Sequence, residues 1–86
     1  MITHIADIVT VWLDDAGTPT RLVWRGDRYQ VTDIPTPRED LVMGLMHPPR
    51  VDGWRFQGTR DDGQSLIFDV RLNRDRQEWE LLAVYD

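Results

Sequence analysis

Cysteine and lysine are both missing from this 86-residue chain, and Ser65 is its only serine. Without cysteine there is no disulfide staple, no thiol nucleophile and no thiolate-bound zinc. Stability has to come from a packed core, and the composition fits a reducing compartment. The lone serine falls in an alternating, strand-like run and not on the sharp glycine-flanked turn that presents a hydrolase nucleophile. His4 and His47 have no Asp or Glu at a metal-ligand spacing. Asp14-Asp15 and Asp61-Asp62-Gly63 lack the alternating oxygens and closing glutamate of a calcium loop, and read as turn formers. The expectation is therefore no metal, no cofactor, no catalytic residue and no enzyme. Long apolar runs are missing as well: Ile5 to Leu13 is interrupted by Asp7 and is too short to cross a bilayer. With no basic leader before it, the run is expected to be a strand of a cytoplasmic protein without membrane contact.

What is present describes a small folded domain: 41% apolar residues, 29% charged residues and four tryptophans. A single domain of this size buries only about 60–65% of its unfolded surface, which leaves little room for a deep cavity. The net charge of −5 argues against broad counterion-release binding to duplex DNA, but it allows a local basic patch. Every basic residue apart from the two histidines is arginine, whose planar fork suits phosphates and carboxylates.

Six alternating or apolar runs separated by short turn signals predict a mainly β fold. They form a six-stranded antiparallel meander, closing as a small barrel or curled sheet over residues 1–86. Between the third and fourth runs, Thr36-Pro37-Arg38-Glu39 has the form of a helix start, with a threonine cap, a proline at the first helical position and a closing glutamate. Leu41, Val42, Leu45 and Met46 continue at helical spacing until His47-Pro48-Pro49, so one short helix is expected there. The third hairpin is the best determined: a three-residue Asp61-Asp62-Gly63 loop sets Phe56 against Phe68 and Trp54 against Val70 inside, with Arg55 against Asp69 outside. A loop from Asn73 to Arg76 would set Phe68 against Leu81 and Arg71 against Glu78.

In the second hairpin, a Gly26-Asp27 turn would place Trp24 against Tyr29 and Leu22 against Val31 on the inward face. Arg21, Arg25 and Arg28 would then share the outward face, with Arg25 directly across from Arg28. Like charges facing one another destabilise a strand pair, which makes this cluster the candidate binding face for a carboxylate or phosphate. The plain alternative is pairing with Asp7, Asp14 or Asp33, or simple solvation. Trp24, Trp54 and Phe56 fall on inward positions, whereas the side of Trp12 is not fixed by the pattern, which makes it the best candidate for an exposed aromatic. Arg21, Arg25, Arg28 and Trp12 are thus the candidate site. The partner is an acidic protein or a phosphate-bearing ligand such as a single-stranded nucleic acid, and a homodimer through the helix or an open strand edge is the other assembly the pattern allows.

Pro19-Thr20-Arg21-Leu22-Val23-Trp24-Arg25-Gly26-Asp27-Arg28-Tyr29-Gln30-Val31, together with the closing Trp79-Glu80-Leu81-Leu82-Ala83-Val84-Tyr85-Asp86, resembles an uncharacterised domain family of actinobacteria. Its members look like Pro-x-Arg-Phe-x-Trp-Arg-Gly-x-x-Tyr-x-Val at the start and Trp-x-Leu-x-x-Val-Tyr-Asp at the end. The resemblance covers most of residues 9 to 86 in order and spacing, and the first motif is the specific one. Members occur alone or appended to Y-family polymerase-like proteins of the translesion pathway, which implies an accessory or protein-interaction role in DNA damage tolerance. Arg21, Trp24, Arg25, Gly26, Tyr29 and Val31 carry over from the first motif. The stretch from Leu41 to Pro49 departs from the family's tryptophan-rich middle.

Overall fold

The two-residue turn at Arg25-Gly26 shows how the chain builds its strands. Both residues have positive φ, 52° and 83°, the pairing of signs that matches the right-handed twist of a tight hairpin. The computed structural model describes residues 2–37 and 52–86. They form β1 (Ile2–Leu13), β2 (Pro19–Trp24), β3 (Asp27–Val31), β4 (Thr36–Pro37), β5 (Gly53–Thr59), β6 (Ser65–Asn73) and β7 (Glu78–Tyr85). Every pairing is antiparallel, in the order β3-β2-β1-β7-β6-β5-β4, and a further β3–β5 pairing makes six of the strands a closed barrel. The expected meander therefore closes, and β4 is an extra strand on the outside of the count. No helix among the described residues is long and apolar enough to cross a membrane.

Thr36 and Pro37, expected to cap and open a helix, instead pair with Arg55 and Trp54 as β4. The remainder of that expected helix lies outside the described residues. β5 thus has two neighbours along one edge, with β3 at Gly58 and Thr59 and β4 at Trp54 and Arg55. Between them the Asp33 carboxylate accepts the Gln57 amide at 2.9 Å, which satisfies a donor that neither strand reaches.

The third hairpin has the register its sequence predicts, with Phe56 opposite Phe68, Trp54 opposite Val70 and Arg55 opposite Asp69. Gly63 takes φ 89° and donates to the Arg60 carbonyl. The second hairpin does not: Leu22 stands opposite Tyr29 and Trp24 opposite Asp27, because the turn is Arg25-Gly26 and not Gly26-Asp27. Glycine goes to the second turn position, where φ is largest, and arginine accepts the first. The shift moves each partner by two residues, so the inward and outward faces survive while the opposed pairs change.

The last hairpin is corrected too, since its loop is Arg74 to Gln77 and Arg71 meets Glu80, not Glu78. Leu82 is then passed over as a bulge: Val70 pairs with Leu81, but Asp69 pairs with Ala83 and Phe68 with Val84. One extra residue reverses the alternation, so Val84 turns into the barrel and Tyr85 turns out beside Asp69.

The interior holds Val9, Leu22, Tyr29, Phe56, Leu66, Phe68, Val70, Leu81 and Val84, with Trp24, Trp54 and Trp79 packed around them. Burying each large apolar side chain contributes about 1.5–3 kcal/mol. Phe68 is the hub, with its ring centroid 4.9 Å from Tyr29, 5.9 Å from Phe56 and 6.1 Å from Trp24. Gly58 makes room for it: a Cβ there would lie 2.8 Å from Phe68 Cε2 and 3.0 Å from Tyr29 Cβ. The barrel can close between β3 and β5 only because that seam residue has no side chain.

Candidate functional site

The Arg25-Gly26 turn takes one of the three arginines expected to stand together away from the other two. Arg25 sits in the turn at one mouth, where its Nε donates to Asp7 Oδ2 at 3.1 Å and its guanidinium lies 4.8 Å above the Trp24 ring. Trp24 Nε1 donates to the same Asp7 oxygen at 2.9 Å. The Trp24 hydrogen bond, with Arg25 behind it, holds the Asp7 carboxyl below the ordinary carboxylate range. Arg25 is therefore part of a latch between β1 and the second hairpin, and it neither faces Arg28 nor belongs to an outward trio.

Arg21 and Arg28 do remain on one outward surface. The register places Trp12, Arg21 and Gln30 in one row across β1, β2 and β3, and Thr10, Val23 and Arg28 in the next. The Arg21 guanidinium lies 4.7 Å from the Trp12 ring centre, a cation–π contact of about 0.5–1 kcal/mol at an exposed site. Trp12, whose side the sequence left open, is outward and 40% exposed, and Ile8 on the same strand is 57% exposed. Neither Arg21 nor Arg28 has an ion-pair partner among the described residues. Of the sequence-derived site residues, Trp12, Arg21 and Arg28 are thus assembled and Arg25 is removed.

Two clusters escaped the sequence reading. Arg60 follows β5 and fans out at the same mouth as Arg25, meeting Asp27 at 3.1 Å, Asp62 at 2.9 Å and the Gln64 amide oxygen. With Trp24, Arg25, Asp27, Tyr29 and Leu66 it lines a cleft of about 410 Å³. Arg60 lies 5.9 Å over the Tyr29 ring, whose hydroxyl is pushed upward chiefly by burial. Its charge is answered by the Asp27 and Asp62 carboxylates, so this cleft is lined by ion pairs. Nothing local in the sequence announces the Asp27 contact, because it depends on the β3–β5 closure.

The second cluster is on the outer side of β5, β6 and β7. Arg55 Nε and Nη2 donate to Asp69 Oδ1 and Oδ2 at 2.7 and 2.9 Å, a bidentate fork, and the Tyr85 hydroxyl donates to Asp69 Oδ2 at 2.7 Å. Arg55 also lies 4.9 Å over the Tyr85 ring. Asp69 is only 2% exposed although its position is outward-facing, and the hydrogen bond to it raises the Arg55 pKa above the ordinary arginine range. The Arg55–Asp69 pairing was visible in the alternation. The third member was not, because the Leu82 bulge is what brings Tyr85 to that face.

Among the described residues no group of three His, Cys, Asp or Glu is placed to hold a metal. What fold and surface define together, among the described residues, is a small closed antiparallel barrel with an exposed aromatic–arginine wall on β1, β2 and β3. No protein-family model, no curated protein and no solved structure matches the chain.

Proposed function

We propose that this protein is a noncatalytic, cytoplasmic interaction module that binds an acidic protein partner through the outer wall of β1, β2 and β3. One contrast carries the reading. Arg25, Arg55, Arg60, Arg71 and Arg74 each have a carboxylate within 3.1 Å, whereas among the described residues Arg21 and Arg28 on the strands, and Arg76 in the β6–β7 loop, have none. In an acidic chain that pairs its other strand arginines, two unanswered guanidiniums beside exposed Trp12 and Ile8 suit a surface whose carboxylates come from elsewhere. The resemblance of the Pro19–Val31 and Trp79–Asp86 motifs to a family linked with Y-family polymerase-like proteins supports reading that partner as one of DNA damage tolerance.

Binding of a fluorescein-labelled polyglutamate peptide, followed by anisotropy, tests the wall directly. The wild type should bind at low salt, and Arg21→Glu with Arg28→Glu should abolish binding. Equal binding by wild type and variant would defeat the proposal. The stack of Arg21 on Trp12 supports a second reading, a platform for single-stranded nucleic acid. Its signature is oligothymidylate binding that weakens steeply with salt, and flat, weak binding at low salt removes it.

A further inference from the structure

We infer that the segment recognised by this wall is an extended peptide of the form acid-x-acid-x-apolar, supplied by another protein and not by a second copy of this chain. The inference rests on the wall being the binding face, and it follows from the register. Arg28 stands opposite Val23, and Arg21 stands two residues further along the same strand, opposite Gln30. The two cations are therefore diagonal neighbours, about 7–8 Å apart at their backbones. Trp12 lies directly beside Arg21 on the next strand. The path from Arg28 to Arg21 runs diagonally and then bends straight across to Trp12, a shorter step of about 5 Å, and it meets cation, cation and ring in that order.

An extended chain places every second side chain on the same side, with about 6.6–6.8 Å between successive ones. Carboxylates at the first and third positions meet Arg28 and Arg21, and an apolar fifth side chain reaches the exposed part of Trp12. The barrel also limits how such a segment can dock. β2 is paired along both edges, with Trp12 of β1 and Gln30 of β3 on either side of Arg21, so a segment that meets Arg21 lies across side chains and does not extend the ladder there. The cross-section is strongly curved, with extents of 25 and 23 Å, and a helix laid on that convex wall would touch it along a narrow line.

Charge excludes the second copy. A two-fold contact centred on Arg21 would set Arg21 and Arg28 against the same pair, and the rows that would meet there, Trp12–Arg21–Gln30 and Thr10–Val23–Arg28, contain no carboxylate, while Asp27, Asp61 and Asp62 line the cleft beside Arg28, off those rows. An acidic segment from a different protein removes that repulsion.

The experiment uses labelled peptides of one composition and three orders, measured by anisotropy against the full chain. One has two aspartates and a leucine at alternate positions. The second has them adjacent, and the third has the aspartates separated by four glycine and serine residues. Polyglutamate and oligothymidylate complete the set. The alternating peptide should bind about fivefold tighter than either rearrangement. Arg28→Ala should reduce that preference, and Trp12→Ala should remove the benefit of the leucine. Equal affinity for the three orders, with polyglutamate still bound, overturns this inference while leaving the wall as a binding face. Binding of oligothymidylate alone overturns it in favour of nucleic acid. No binding of any acidic probe overturns the wall reading and this inference together, as does a concentration-dependent dimer abolished by Arg21→Glu.

Discussion

The barrel carries the same small device on two opposite-natured walls: an arginine laid over an aromatic ring. On the wall of β5, β6 and β7, Arg55 lies 4.9 Å over Tyr85, and on that of β1, β2 and β3, Arg21 lies 4.7 Å over Trp12. The difference is Asp69. It receives two donors from Arg55 and one from Tyr85 at 2.7–2.9 Å, and it is buried beneath them. The first wall is consequently a lock, in which charge holds three strands together. On the second wall the same pair has no carboxylate against it among the described residues, and in the proposed reading its charge meets a partner. A cation–ring contact therefore has no fixed meaning, and its role depends on whether a buried counter-charge completes it.

The largest break in this contrast comes from removing the buried carboxylate. Asp69→Ala leaves the Arg55 fork and the Tyr85 hydroxyl without their shared acceptor, and it should cost about 2–4 kcal/mol in urea unfolding. A loss under about 0.5 kcal/mol would mean that the lock contributes nothing beyond an exposed pair. Next comes the seam that joins the walls. Gly58→Ala drives a Cβ to 2.8 Å from Phe68 Cε2 and should cost about 1–3 kcal/mol by overpacking. Combined with Phe68→Leu the two losses should sum to less than additive, a recovery in the double-mutant cycle, since the smaller side chain relieves the contact with Phe68 and leaves only that with Tyr29 Cβ. No recovery would show that the strain lies in the backbone.

The lock and the free wall were not equally legible in the sequence. Where a loop had one plausible turn, as at Asp61-Asp62-Gly63, alternation and turn chemistry agreed, and the whole β5–β6 register followed, including Arg55 against Asp69. Gly26 allowed two turns one residue apart, and the inward and outward patterns are identical for both. Only the backbone preference for glycine at the second position separates them, and that choice moved Arg25 from the wall into the turn. Tyr85 was hidden by the Leu82 bulge. Its trace is the inward spacing Trp79, Leu81, Val84, which changes from two residues to three. Trp12 was unassignable because β1 is apolar on both faces: Val9 and Val11 pack in the core while Ile8, Trp12 and Leu13 are exposed. Asp27 with Arg60 depends on barrel closure, to which no local pattern refers.

The Asp7 latch at the barrel mouth gives an intermediate case, half-exposed and still paired. Its carboxyl titrates below the ordinary range because Trp24 Nε1 and Arg25 donate to the charged form. A depressed folded-state pKa stabilises the fold above the unfolded value. That contribution disappears as pH falls from about 4 through the folded value. Asp7→Asn should therefore be less stable than wild type at neutral pH, and the gap should narrow on acidification. Denaturant midpoints at a series of pH values measure it. A gap that is constant with pH would assign the loss to hydrogen bonding alone and remove the charge from the latch.

The smallest expected change in stability is on the free wall, where it is also the most informative. Arg21→Ala with Arg28→Ala removes two guanidiniums that have no carboxylate among the described residues, so unfolding should shift by no more than about 0.5 kcal/mol. Relief of repulsion between the diagonal pair offsets the lost contact of Arg21 with Trp12, which keeps the sum near zero. Arg55→Ala on the opposite wall should be clearly destabilising in the same assay, because it removes the cation that pairs with Asp69, which is 2% exposed and keeps the neutral Tyr85 hydroxyl as a donor. If the double variant on the free wall destabilises as much as Arg55→Ala, both walls are locks and the binding proposal loses its basis. If it leaves the fold intact and abolishes capture of acidic peptides, the two walls have divided one chemistry between holding the barrel and meeting a partner.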